Sequence, residues 1–108
     1  MNKFIDFTDQ VCLITGAGSP NGIGFETAKI LGELGGKILL VATTDRVFQR
    51  AEELKSAGVE AEGFITNLMD RKQVEDLVAG IIKKYGKIDV LVNNAGMVQV
   101  GMEEDFAT

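Results

Sequence analysis

The chain has 108 residues, 45% of them hydrophobic and 25% charged, and its 11 basic against 16 acidic side chains leave a net charge of −5, enough for one small domain or part of a larger one. Histidine is absent and Cys12 is the single cysteine, which excludes a Ser–His–Asp triad, a His-liganded zinc, a cysteine-only metal site and an intramolecular disulfide. The negative balance without a basic run argues against nucleic acid, the apolar runs are too short for a bilayer, and Met1–Asp6 lacks the apolar stretch of a secretion signal, so the expectation is a reduced, cytoplasmic protein without membrane or nucleic-acid partners.

The pattern alternates along the chain. Val11-Cys12-Leu13-Ile14 is a short apolar run that ends in a glycine cluster, Gly16, Gly18, Gly22 and Gly24. A helical stripe follows at Ile23, Thr27, Ile30, Leu31 and Leu34, stopped by Gly35-Gly36. Ile38-Leu39-Leu40-Val41-Ala42 reads as a second buried strand, and a second helix runs from Val47 through Ala51 and Leu54 to Gly58, with Thr44 or Asp45 as its cap. A third strand is expected near Ala61–Thr66. The third helix starts at an Asp70-x-x-Gln73 capping box and carries Val74, Leu77, Val78, Ile81, Ile82 and Tyr85 on its apolar face, with Gly86 as its stop. Ile88-Asp89-Val90-Leu91-Val92 is the fourth strand. Strands alternating with helices at this spacing, and strand runs without in/out alternation, predict βαβ units around a parallel sheet covered on both faces. Met97–Thr108 shows no assignable period.

The segment Thr15-Gly16-Ala17-Gly18-Ser19-Pro20-Asn21-Gly22-Ile23-Gly24 lies between the first strand and the first helix. Glycine there permits unusual backbone angles and lets a phosphate reach backbone N–H groups at a helix N-terminus, whose partial positive charge favours a pyrophosphate. A flexible surface turn is the plainer alternative. The spacing is not G-x-G-x-x-G, because that pattern started from Gly16 ends on Asn21 and started from Gly22 ends on Thr27. It resembles instead the T-G-x-x-x-G-x-G loop of the short-chain dehydrogenase/reductase family, with two extra residues between Thr15-Gly16 and Gly22-Ile23-Gly24. Asn93-Asn94-Ala95-Gly96, directly after the fourth strand, resembles that family's N-N-A-G motif in its expected place, although on its own it also reads as a strand-ending turn.

The resemblance implies a Rossmann-like doubly wound α/β fold, here as a single partial domain over 1–108 with strand order 3-2-1-4 and right-handed crossovers. It implies a nicotinamide dinucleotide partner, held by Gly16, Ser19, Asn21, Gly22, Ile23 and Gly24 of the loop and by Asn93, Ala95 and Gly96, while Asn94 serves the sheet. Asn67 and Leu68, after the third strand, would meet the adenine, Asn67 by hydrogen bonds and Leu68 by packing; without the resemblance Asn67 is equally a strand end. In dinucleotide folds a carboxylate at the tip of the second strand selects the ribose 2′-hydroxyl of NAD. Here that position falls near Ala42, followed by Thr43 and Thr44, with Arg46 close by, a set suited to a 2′-phosphate. NADP is therefore the expected cofactor, with NAD as the alternative if Asp45 reaches the ribose.

The family's catalytic Ser and Y-x-x-x-K residues lie beyond N-N-A-G. Tyr85 is the single tyrosine and is followed four residues on by Asp89, and the serines are Ser19 and Ser56, so no catalytic residue is carried over. The resemblance covers the first two-fifths of the usual domain. It implies an NADP-dependent short-chain reductase acting on a carbonyl, most like 3-oxoacyl-carrier-protein reductases, with the chain of 108 residues inactive by itself. The alternatives are a non-catalytic nucleotide-binding or assembly fragment and an enoyl-reductase-type relative. The fourth strand, exposed at the sheet edge, further predicts self-association unless Met97–Thr108 shields it.

Overall fold

Seven elements alternate along the chain in a computed structural model that describes residues 5–19 and 21–94. Strands β1 (Val11–Thr15), β2 (Lys37–Ala42), β3 (Ala61–Ile65) and β4 (Val90–Val92) form one parallel sheet in the order β3-β2-β1-β4. Helices α1 (Ile23–Glu33), α2 (Arg46–Ser56) and α3 (Arg71–Tyr85) make the crossovers. Cys12 stands level with Ile38 on one side and Val90 on the other, and Ile38 stands level with Ala61. β1 is buried along its whole length and β2 along all but its first residue, which is why both read as continuous apolar runs rather than alternating ones.

The two faces of the sheet feed separate cores. Cys12, Ile14, Ile38 and Leu40 point to one face with Phe25, Ala28 and Leu31 of α1 and Val47, Ala51 and Leu54 of α2. Val11, Leu13, Leu39 and Val41 point to the other, with Ile81 of α3 buried among them and Leu77, Tyr85 and Ile88 packed against them. Each fully buried Val, Leu, Ile or Phe among them contributes about 1.5–3 kcal/mol.

The helix ends follow their local chemistry. Asp70 accepts hydrogen bonds from the Lys72 and Gln73 N–H groups, as the capping box requires, while Gln73 Oε1 accepts from the Asn67 N–H at 2.9 Å rather than from the cap residue. Gly86 closes α3 with φ +85°, a left-handed conformation that suits glycine.

Three expectations need correction. The buried face of α1 is Gly24, Phe25, Ala28 and Leu31, whereas Ile23 and Ile30 are 75% and 53% exposed. Gly24 brings the helix close to β1, Phe25, Ala28 and Leu31 pack into the core beside it, and Ile23 and Ile30 fall on the outward side. On α3 only Ile81 is buried; Val78 and Ile82 are exposed. β4 is shorter than expected because Asp89 leaves the ladder pattern. Its carboxylate accepts the Val11 N–H at 2.8 Å and its own N–H donates to the Val11 carbonyl at 2.9 Å, while Lys87 pairs with the same carboxylate at 3.1 Å. Asp89 thus pins the start of β4 to the start of β1.

Tyr85 packs as its place on the apolar face implies. Its hydroxyl donates to Glu62, near the amino-terminal end of β3, and Lys84 pairs with the same carboxylate at 2.8 Å. Burial, then the Glu62 hydrogen bond and charge, push the phenol well above its ordinary value. Burial alone would raise Glu62, but the Lys84 and Tyr85 hydrogen bonds and the Lys84 and Lys55 charges outweigh it and hold that carboxyl below its ordinary range.

Candidate functional site

Four segments meet at the carboxyl ends of the strands. The glycine loop leaves β1 through Gly16, whose φ of +68° is the left-handed conformation that a side chain resists. Ala17 is fully buried and its N–H donates to the Val41 carbonyl at 3.3 Å, which ties the loop to the tip of β2. A Cβ on Gly18 would lie 3.2 Å from the Ala42 Cβ. Ser19 organises the next turn: its hydroxyl accepts the Asn21 N–H and its carbonyl accepts the Gly22 N–H, both at 3.3 Å.

Gly22 then caps α1 in an extended conformation, with no side chain on the helix's first N–H groups. Those donors have no partner inside the helix by geometry. Gly24 brings the first turn against β1, since a Cβ there would sit 3.0 Å from the Gly16 carbonyl oxygen and 3.1 Å from Asn94 Nδ2. Ile23, beside it, is turned to solvent at the rim of the loop.

The end of β4 is joined to the same place through Thr15. Its hydroxyl accepts the Asn94 N–H at 2.9 Å and donates to Asn93 Oδ1 at 3.1 Å, and Asn94 Nδ2 donates to the Gly16 carbonyl at 3.5 Å. Asn94 therefore joins β4 to β1, as expected for it. Thr15 is a participant that motif reading passes over, because its partners are 78 and 79 residues away. Ala95 and Gly96 lie outside the described residues.

At the tip of β2, Thr43, Thr44, Asp45 and Arg46 are all exposed. The expected cap takes a different form. Asp45 occupies the cap position of α2 but makes no side-chain cap hydrogen bond, and the Thr44 and Asp45 carbonyls accept the Val47 and Phe48 N–H groups instead. Next to this tip, the Thr66 N–H donates to the Ala42 carbonyl at 2.9 Å. Asn67 follows, exposed, with its Oδ1 accepting the Met69 N–H at 3.0 Å. Leu68 is half-buried against the α3-side core.

This arrangement fits an anionic dinucleotide. Glycines at 16, 18, 22 and 24 keep the loop bare, an uncapped helix N-terminus faces it, and hydroxyl, amide and guanidinium donors stand at the neighbouring strand tips. The strand order turns back at β1, between β2 and β4, which is where α/β sheets open a crevice for ligands. Among the described residues no group of His, Cys, Asp and Glu is arranged to hold a metal ion. Nor is any helix long and apolar enough to cross a membrane among them.

The model of the short chain dehydrogenase family matches residues 10–108. The chain belongs to this family. A short-chain dehydrogenase relative from Thermotoga maritima, 3-oxoacyl-[acyl-carrier-protein] reductase FabG, is 38% identical and is aligned over 90% of this chain and 41% of its own length. A metagenomic short-chain oxidoreductase solved in complex with NADP superposes with a TM-score of 0.79 at 35% identity, covering 84% of this chain and 41% of that one. A variant of actinorhodin polyketide ketoreductase solved with NADPH gives a TM-score of 0.75 at 42% identity, over 81% of this chain and 33% of that one. The chain thus spans about two-fifths of the curated relative, the front part of a short-chain dehydrogenase fold.

Proposed function

We propose that this chain is the cofactor-binding part of an NADP-dependent short-chain reductase whose substrate is a carbonyl compound of the 3-oxoacyl thioester class. The observation that carries the cofactor choice is the tip of β2. The position of the NAD-selecting carboxylate falls near Ala42, and exposed Thr43, Thr44, Asp45 and Arg46 follow it, Arg46 without an ion pair among the described residues. The neighbours solved with NADP and NADPH support this choice, and the ketoreductase and 3-oxoacyl reductase relatives support the substrate class.

In this reading Gly16, Ser19, Asn21, Gly22, Ile23 and Gly24 border the pyrophosphate, Thr43, Thr44 and Arg46 hold the 2′-phosphate, Asn67 and Leu68 meet the adenine, and Asn93, Ala95 and Gly96 line the nicotinamide side. NADPH supplies the hydride when bound. The protein's own contribution at these residues is binding and orientation. Proton donation is not among their roles, because Tyr85, the single tyrosine, hydrogen-bonds to Glu62 near the opposite end of β3. The same reading places the protein in the cytoplasm and includes self-association through the β4 edge, where Leu91 is 62% exposed.

Titration of the full chain with NADPH and NADH, followed by nucleotide fluorescence, tests the proposal. NADPH is expected to bind about tenfold tighter or better, and Arg46→Ala to remove most of that margin. Equal affinities, or tighter binding of NADH, would overturn it. Light scattering across concentrations tests the association, and a monomer throughout would remove that part alone.

A further inference from the structure

Arg50 lies on the buried face of α2, in register with Val47, Ala51 and Leu54, and is 5% exposed. Its guanidinium carbon sits 5.7 Å from the centre of the Phe25 ring of α1. Nη2 pairs with Glu53 at 2.7 Å, and Nε is buried without a hydrogen-bond partner among the described residues. Burying a guanidinium is costly unless its donors are matched, and an apolar residue would pack at this position more cheaply.

The location gives the cation a use. Phe25 belongs to the first turn of α1, which follows the glycine loop and carries no side-chain cap among the described residues, and Arg50 is one turn on from Arg46 at the tip of β2. Below this contact the two helices separate around a groove of about 590 Å³ lined by Phe25, Lys29, Glu53, Leu54, Gly58 and Val59 among others. At its far end α1 meets the segment after α2 closely, because a Cβ on Gly32 would lie 2.6 Å from Val59 Cγ1. The Arg50–Phe25 contact is thus one tie between α1 and α2, beside their shared apolar core, at the end nearer the glycine loop, and Lys29 of α1 stands over the same ring at 5.4 Å.

We propose that Arg50 is a positioning residue for the dinucleotide: a buried strut against Phe25 that sets the spacing between the α1 first turn and the Thr43–Arg46 tip. The proposal rests on the assignment of those two segments to the pyrophosphate and the 2′-phosphate. A ligand held at both points gains from a fixed spacing, because the second contact is then made at a high effective concentration. A ligand held at one point gains nothing from it.

Calorimetric titration of the full chain with NADP and with 2′-AMP separates the two cases. Arg50→Met is expected to weaken NADP about tenfold or more while 2′-AMP stays within about twofold, and Arg50→Lys, which keeps a cation over the ring, to recover much of the loss. Unchanged NADP affinity in Arg50→Met, or an equal loss for both ligands, would overturn the strut. Should Arg50→Met fail to fold, Phe25→Leu removes the other half of the contact and is held to the same ratio. If the wild-type chain prefers NAD, the cofactor reading fails by itself, and the NAD to AMP comparison then decides the strut.

Discussion

Replacing Thr15 with valine removes a hydroxyl at the junction of β1 and β4 and leaves the shape of a 5% exposed side chain almost unchanged. That hydroxyl accepts the Asn94 N–H and donates to Asn93 Oδ1, at 2.9 and 3.1 Å. Asn93 is exposed and can turn to water, so the cost falls on the half-buried Asn94 N–H. Leaving such a donor unmatched costs about 1–2 kcal/mol. For a domain of this size that lowers Tm by roughly 5–15 °C. Thermal unfolding followed by circular dichroism measures it, and dinucleotide titration of the same samples measures the effect on the site. Thr15→Ser is the control, because it forfeits a methyl worth about 0.8 kcal/mol yet keeps the hydroxyl, and so should keep the affinity that valine loses. A valine variant as stable as the wild type, or a serine variant that loses as much affinity as valine, would refute the role given to this hydroxyl.

Gly24→Ala should lower dinucleotide affinity even though alanine favours helix by about 1 kcal/mol, because its Cβ would press on the Gly16 carbonyl and Asn94 at 3.0 and 3.1 Å and lift the first turn of α1 from β1; titration of the variant checks it. Asp89 is held below its ordinary 3.8, first by the Val11 N–H and then by Lys87, so the stability it contributes is present above that value and is lost as pH falls through the lower folded one. Asp89→Asn should therefore flatten the acid limb of a urea-unfolding series, and an unchanged limb would count against the clamp. Tyr85 is raised above its ordinary 10.0, first by burial and then by Glu62, so its contribution is complete below pH 10 and is lost as pH rises toward the folded value. Tyr85→Phe should remove that part of the alkaline decline in the same kind of series.

The sequence made the fold legible because strand burial and helix stops are local signals. The apolar runs of β1 and β2, the Asp70–Gln73 box, and glycines at 35, 58 and 86 all sit where their chemistry places them. What escaped was decided by distance between elements. The stripe drawn through Ile23 and Ile30 misjudged α1, because its true contact uses Gly24 and Ala28, which weigh little in any apolar periodicity. Thr15 reads as part of a loop motif until β4 arrives beside it. Arg50 belongs to no motif, although its spacing from Val47, Ala51 and Leu54 is a signal that it faces inward. The glycine loop and the Asn-Asn pair were legible as motifs, whereas the bonds that join them were not.

Those bonds also set an order of events. The neighbouring strands β1 and β4, one inside the sheet and one at its edge, come from opposite ends of the described chain, and the Thr15–Asn94 contact closes an interval of 79 residues. Closing such an interval costs about 4 kcal/mol of chain entropy before any contact is made. β1, α1 and β2 can assemble from near neighbours, so the glycine loop can form early, but the crevice beside it is complete only when β4 docks. During synthesis the chain would therefore emerge with half a binding site. A dinucleotide that grips both halves binds only after that docking, and it draws the last step forward by mass action. If the proposed dinucleotide is that ligand, its supply thereby sets the fraction of chains held closed and so their exposure to proteolysis, while the rate at which β4 docks stays the same.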